Sequence, residues 1–194
     1  MKNAILLHGL YDKEEYYDKT QPSASNAHWF PWLQRQLMLR DLKADTPEVP
    51  HTFNFDWQSW VTEVERFDIT PETLLIGHSM GGGFWMRYLS EHPEIYVDKV
   101  VLVAPWLNLR HEEKADFFDF DLDPGLVERT NTFIIFGSDN DDPDVQKSVA
   151  HLCEKLPNVT YKEFHDYGHF CYRDMKTEAF PELLDVLVDN KPYP

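Results

Sequence analysis

The strongest constraint on this 194-residue chain is the regular alternation of two kinds of segment. Short apolar runs occur at residues 4–7, 73–76, 100–103 and 132–136, with a further strand candidate at 159–164 and a weak, short one at 42–45. Several are closed by Gly or Pro, as in His8-Gly9, Gly77, Ala104-Pro105 and Gly137. Runs of this kind read as strands buried on both faces, the pattern of a parallel sheet. Amphipathic stretches fill the intervals. Residues 57–67 put Trp57, Trp60, Val61, Val64 and Phe67 on one helical face, and 29–40 do the same with Trp29, Trp32, Leu33 and Leu37. Residues 80–91, 143–156 and 180–188 complete the helical set. Pro31 and Pro143 fall where a first turn tolerates proline. A β-α-β order throughout predicts an α/β fold, a doubly wound, mostly parallel sheet with right-handed crossovers. Ligands of such sheets bind at the carboxyl ends of the strands.

The segment Gly77-His78-Ser79-Met80-Gly81 lies where one of these strands meets the next helix. It has the form G-x-S-x-G, in which a serine sits on a tight strand-to-helix turn with its hydroxyl lifted above the sheet. Gly77 and Gly81 let strand and helix approach closely. The helix that follows directs its first amides and its positive dipole end at the reacting oxygen. Ser79 is therefore the candidate nucleophile. His78, its neighbour on the turn, reads as structural or pocket-lining.

A serine hydroxyl needs a base. Of nine histidines, His169 in Asp166-Tyr167-Gly168-His169-Phe170 stands after the last strand and before the last helix, where the order serine, acid, histidine puts the base. His165 lies closer to the strand and lacks a preceding glycine. The acid is expected after the strand at 132–136, in Gly137-Ser138-Asp139-Asn140-Asp141-Asp142-Pro143-Asp144. Asp142, just before Pro143, is the first choice, with Asp139 and Asp141 as alternatives; aspartates here also suit helix capping. The oxyanion donors are expected to be the amides of Met80 and, from the loop after the first strand, Leu10.

Taken together, His8-Gly9, Trp29-Phe30-Pro31-Trp32-Leu33, Gly77-His78-Ser79-Met80-Gly81, Phe136-Gly137-Ser138 with Asp141-Asp142-Pro143, and Gly168-His169-Phe170 resemble the small, cap-poor serine hydrolases related to retinoblastoma-binding protein nine and YdeN, in the α/β-hydrolase superfamily. The resemblance runs over nearly the whole chain. It implies a six-stranded, flavodoxin-like version of the α/β-hydrolase fold, a three-layer sandwich, and a triad of Ser79, Asp142 and His169. The loop 11–27 is long and charged for that group, and the acid loop carries an extra residue near Asp139-Asn140.

The expected activity is hydrolysis of a carboxylic ester or thioester of a small or medium apolar substrate through an acyl-serine. The same parts would serve an amide, or acyl transfer to an acceptor other than water. A non-catalytic module that binds a protein partner on a hydrolase fold is the alternative, since fold does not fix function. Trp106, Phe117 and His78 are candidate substrate contacts; for any one aromatic, Trp29 and Trp57 included, a core position is the simpler reading. Residues 106–123 are acidic and aromatic and follow a strand end. They form either a small lid over the crevice or a solvated loop anchored by its phenylalanines.

With 18 basic against 34 acidic residues the formal net charge is −16. That disfavours nucleic acid and anionic membranes. The two cysteines, Cys153 and Cys171, are too few for a disulfide framework, and no zinc-type spacing is present, so no metal or other cofactor is expected. Residues 4–7 are too short for a signal-peptide core and no run approaches a membrane span, which points to the cytoplasm. The length suits one domain over residues 1–194.

Overall fold

Along the inner strands, successive apolar side chains leave the sheet on opposite faces, and each face has its own helical cover. A computed structural model describes residues 2–110 and 116–188. The strands are β1 (Asn3–Leu7), β2 (Lys43–Asp45), β3 (Leu74–His78), β4 (Val97–Val103), β5 (Thr130–Ser138) and β6 (Thr160–Phe164). They form one sheet in the order β2-β1-β3-β4-β5-β6, parallel at every pairing. The helices are α1 (Lys13–Tyr17), α2 (Phe30–Met38), α3 (Trp57–Val64), α4 (Met80–Glu91), α5 (Pro143–Lys155), α6 (Tyr172–Met175) and α7 (Pro181–Val188). Ile5, Leu7, Leu75 and Leu102 pack with Trp60 of α3, Phe84 of α4 and Leu152 of α5. Leu6, Ile76, Val101 and Phe136 pack on the other face with Leu33 of α2 and Leu187 of α7. This is the three-layer, doubly wound α/β arrangement expected, with every strand parallel.

From β1 the chain steps outward to β2, whereas from β3 it proceeds through β4 and β5 to β6. The loops leaving β1 and β3 therefore part, and the crevice of such sheets opens between them. Gly9-Leu10 and Ser79 lie at those two strand ends.

Three features differ from expectation. Thr160, Tyr161, Lys162 and Glu163 of β6 are exposed rather than buried on both faces, because β6 is the edge strand; its charged residues blunt an edge that would otherwise invite pairing. α1 and α6 had no counterpart in the periodicity. The segment 106–123 is anchored at its aromatic residues, while Asp116, Asp119 and Asp121 are exposed. Phe117 is 1% exposed and packs against Trp57 and Trp60, while Trp106 Nε1 donates to Asp144 Oδ2 (2.6 Å) on α5. Residues 111–115 of the expected lid lie outside the described residues. No described helix is long and apolar enough to cross a membrane.

Candidate active site

Ser79 is the single residue between the end of β3 and the start of α4, and it adopts φ 52°, ψ −119°. An L-residue held there stores roughly 1–3 kcal/mol of strain, which persists only where the surroundings over-determine it. Four backbone bonds do so. The Ser79 amide donates to Val103 O (3.0 Å), and the Ser79 carbonyl accepts from Gly82, Gly83 and Trp106 at 3.0, 3.2 and 3.0 Å. The glycines permit the tight crossing. A Cβ on Gly77 would stand 2.6 Å from Gly81 O, and one on Gly81 would stand 2.5 Å from the carbonyls of Leu7 and His8. The serine is 7% exposed, at a small, partly open cavity of about 50 Å³ that His169 also lines.

His169 reaches that cavity from the loop after β6. Gly168 makes the approach possible, with φ +53° and no room for a Cβ beside Asp174. The ring Nδ1 lies 2.9 and 3.1 Å from the two carboxylate oxygens of Asp141. A carboxylate only accepts, so Nδ1 carries the proton and Nε2 is left with its lone pair. His165 is displaced from the site. Its side chain is 74% exposed and bonds Asp139, whose carboxylate pulls the imidazole pKa up.

The carboxylate on His169 thus belongs to Asp141, which corrects the expectation of Asp142. Asp142 is the N-cap of α5, and its Oδ1 accepts the amide of Asp144 (2.8 Å). The reason is local. Pro143 opens the helix, so the preceding residue must turn its side chain onto the free amides of the first turn. Asp141, one step earlier, is released toward the histidine loop. The proline carried this signal in the sequence, where it marks the cap and not the acid.

The acid and base loops are fastened together over their length. Ser138 Oγ accepts from Tyr167 N (3.1 Å), Asp139 from His165 Nδ1 (2.7 Å) and Asp166 N (3.0 Å), and Asn140 Oδ1 from Gly168 N (2.8 Å). With Asp141 on His169, residues 138 to 141 each hold a partner within 165 to 169.

The loop after β1 passes directly against the serine, for a Cβ on Gly9 would lie 2.9 Å from Ser79 Cβ. His8 fixes that loop. Its Nε2 accepts the Val49 amide (2.9 Å) and its Nδ1–H donates to Gly9 O (2.8 Å). The Gly9–Leu10 peptide is planar and trans, so the Leu10 N–H points away from that carbonyl. Met80 supplies the first amide of α4, which has no intrahelical acceptor.

His78 is buried and its Nε2–H donates to the His169 carbonyl (2.8 Å). Burial first, then the neighbouring His169 and His28, hold its pKa well below the usual range. His28 Nδ1 accepts from Tyr172 N (3.3 Å); burial, then His169, brings its pKa down to about 4. His8 is likewise held low by burial. Of the four imidazoles lining the cavity, His169 alone among the described residues bonds a carboxylate.

The expected substrate aromatics divide. His78 lines the cavity. Trp106 and Phe117 lie in the layer over α3 and α4 and do not line it. Trp57 packs there too, and Trp29 is fully buried beside Phe30. The walls include Tyr11, Ala24, His28 and Cys171, none of which the sequence singled out; they come from loops with no periodic signal. Burial pushes the Cys171 thiol up to about 12. No described group of three or more His, Cys, Asp or Glu side chains is placed to hold a metal ion.

The chain is similar to known proteins over most of its length. A family model described as serine hydrolase matches residues 21–188. YdeN of Bacillus subtilis (strain 168) is 24% identical over 185 residues, covering 90% of this chain and 94% of YdeN. The crystal structure of that gene product superposes with a TM-score of 0.78 at 20% identity over 97% of this chain and 98% of its own. A YdeN-like protein from Pectobacterium atrosepticum gives 0.64 at 18% identity, over 97% and 90% of the two chains. At these identities the structural likenesses speak to the fold.

Proposed function

Since this chain belongs to the serine hydrolase family, we propose that it hydrolyses carboxylic esters or thioesters through an acyl-serine intermediate. The observation that carries the reading is the joint placement of Ser79 and His169 on one cavity, with Asp141 on the far nitrogen of His169. Ser79 Oγ attacks the acyl carbon as His169 Nε2 takes its proton. Asp141 keeps Nδ1 protonated and offsets the charge that develops on the ring. The amides of Met80 and Leu10 receive the oxyanion; loss of one such donor costs about 10²–10³ in rate. Collapse breaks the bond to the leaving oxygen or sulfur, which takes the proton from His169. Water, deprotonated by the same imidazole, then releases the acid and restores the serine. All the groups required are side chains and amides of the chain itself.

The test is labelling by a fluorophosphonate probe together with turnover of p-nitrophenyl esters. Wild-type protein is expected to label and turn over, and Ser79→Ala to do neither while keeping its fold. A well-folded wild type that neither labels nor turns over any ester would sink the enzyme reading and leave a binding module on a hydrolase fold.

A further inference from the structure

The polar groups of His169 meet partners from different parts of the chain. Its Nδ1 faces Asp141 in the acid loop. Its amide donates to Asp174 Oδ2 (3.1 Å), and its carbonyl accepts the Cys171 thiol (3.6 Å). Asp174 and Cys171 lie five and two residues away, so they shape the base loop without relating it to the serine. The remaining bond runs from His78 Nε2–H to the same carbonyl (2.8 Å). His78 stands 91 residues earlier, as the last residue of β3 and the one before Ser79. Among the described residues, its side chain alone ties the strand that carries the nucleophile to the main chain of the base.

That side chain is fixed well enough to transmit position. It is buried, with the rings of Trp29, His28 and Phe30 at 5.8, 6.0 and 6.3 Å between centroids and the His169 ring at 4.9 Å. Its backbone runs straight into the Ser79 turn, which four backbone bonds hold. A carbonyl partner requires Nε2 to be the protonated nitrogen. Burial keeps the ring from taking a second proton. Neutrality matters at this spacing, because a second cation would oppose the charge that develops on His169 as it takes the serine proton. Asp141 fixes how the His169 ring is turned; the carbonyl bond fixes where the chain carrying that ring stands relative to Ser79.

We propose that His78 is a positioning residue for the proton transfer, its Nε2–H bond to the His169 carbonyl holding the base at working distance from Ser79 Oγ. It acts through His169 and takes no proton itself. The proposal rests on the esterase reading above and adds to it the residue that registers base against nucleophile.

Two substitutions separate the bond from the bulk of the ring. In glutamine the amide nitrogen lies as many bonds from Cα as histidine Nε2 does; in asparagine it stops at the depth of Nδ1, short of the carbonyl. With p-nitrophenyl acetate, His78→Gln is expected to keep kcat within about threefold of wild type, and His78→Asn to lower it about 10- to 100-fold, the scale of a misplacement near 1 Å, with KM changed by less than about threefold. Fluorophosphonate labelling should slow in step with kcat, since modification of Ser79 needs the same proton transfer. Equal kcat in the two variants, high or low, or a loss confined to KM overturns the proposal and leaves the chain an esterase. Nitrogen-15 NMR of the wild-type imidazoles needs no substitution. It is expected to show His78 neutral and protonated at Nε2 from about pH 8 down to about pH 5; a proton on Nδ1, or an imidazolium, overturns the proposal whatever the variants do. Absence of both labelling and ester turnover in well-folded wild type removes the esterase reading, and this inference with it.

Discussion

Two adjacent aspartates do different work at this site, and one proline divides them. Asp141 is almost wholly buried, its side chain 2% exposed, and receives His169 Nδ1; Asp142 caps α5. Asp141→Asn is expected to lower kcat about 10⁴-fold with little change in fold, because an amide NH₂ facing Nδ1 favours the wrong tautomer. Asp142→Ala is expected to keep kcat near wild type and to cost about 1 kcal/mol of stability, the typical worth of a cap. Steady-state rates and urea unfolding of the two variants check the pair. The reversed pattern, with kcat collapsing on loss of Asp142, would mean that the carboxylate exchanges partners in solution. Ser79 and His169 could be proposed from sequence because each sits in a pattern with a structural reason, a tight turn and a glycine that frees a loop. The acid could be narrowed only to a cluster. Choosing among its members depends on which side chain the helix claims first, and that had to be read from Pro143 as a capping rule.

Among the elements, those long enough to show their period were legible, and those shorter were not. α4 runs over the residues expected for it, and α5 begins at the proline that announced it. α1 and α6 have five and four residues, too few for a helical stripe. β6 was legible as a strand but not as an edge, since an edge position is a property of the sheet and not of the run. The cavity walls at Ala24, His28 and Cys171 come from loops whose course is set by partners distant in the chain, such as Glu48. The bonding of the acid loop to the base loop is of this long-range kind, and it predicts a consequence. Asn140 Oδ1 accepts both Gly168 N and Ser138 Oγ at 2.8 Å, so Asn140→Ala frees the backbone just before His169. A loss of kcat of about 10- to 100-fold is expected, the scale of a misplacement near 1 Å, with an unfolding midpoint close to wild type. Loss of stability without loss of kcat in the folded fraction would show that the fastening holds the loops but does not aim the imidazole.

The cavity beside Ser79 gathers three other imidazoles around His169, and this ties the stability of the whole molecule to pH. His8, His28 and His78 are all held below their ordinary pKa, with burial as the leading cause. In the unfolded chain each takes up a proton near pH 6.5; in the native protein His28 refuses it until about pH 4. Between those values the unfolded state binds more protons, so stability falls as pH falls, by up to about 1.4 kcal/mol per pH unit for each such ring. Two contributions oppose this. His165, raised by Asp139, adds stability that is present at low pH and lost as pH rises, though exposure to solvent screens it. Acidification also relieves the repulsion within a chain of formal charge −16. A difference measurement removes both. His28→Asn deletes one imidazole and suits the left-handed backbone at that position, φ 55°. At pH 7.5 the variant is expected to be less stable than wild type through lost packing. As pH falls from 6.5 toward 4 the gap in urea midpoint should close, because only the wild type then bears the cost of keeping that ring uncharged. A gap of constant size across the window would show that His28 is protonated freely in the native protein, and that the wall it forms beside Ser79 is open to water.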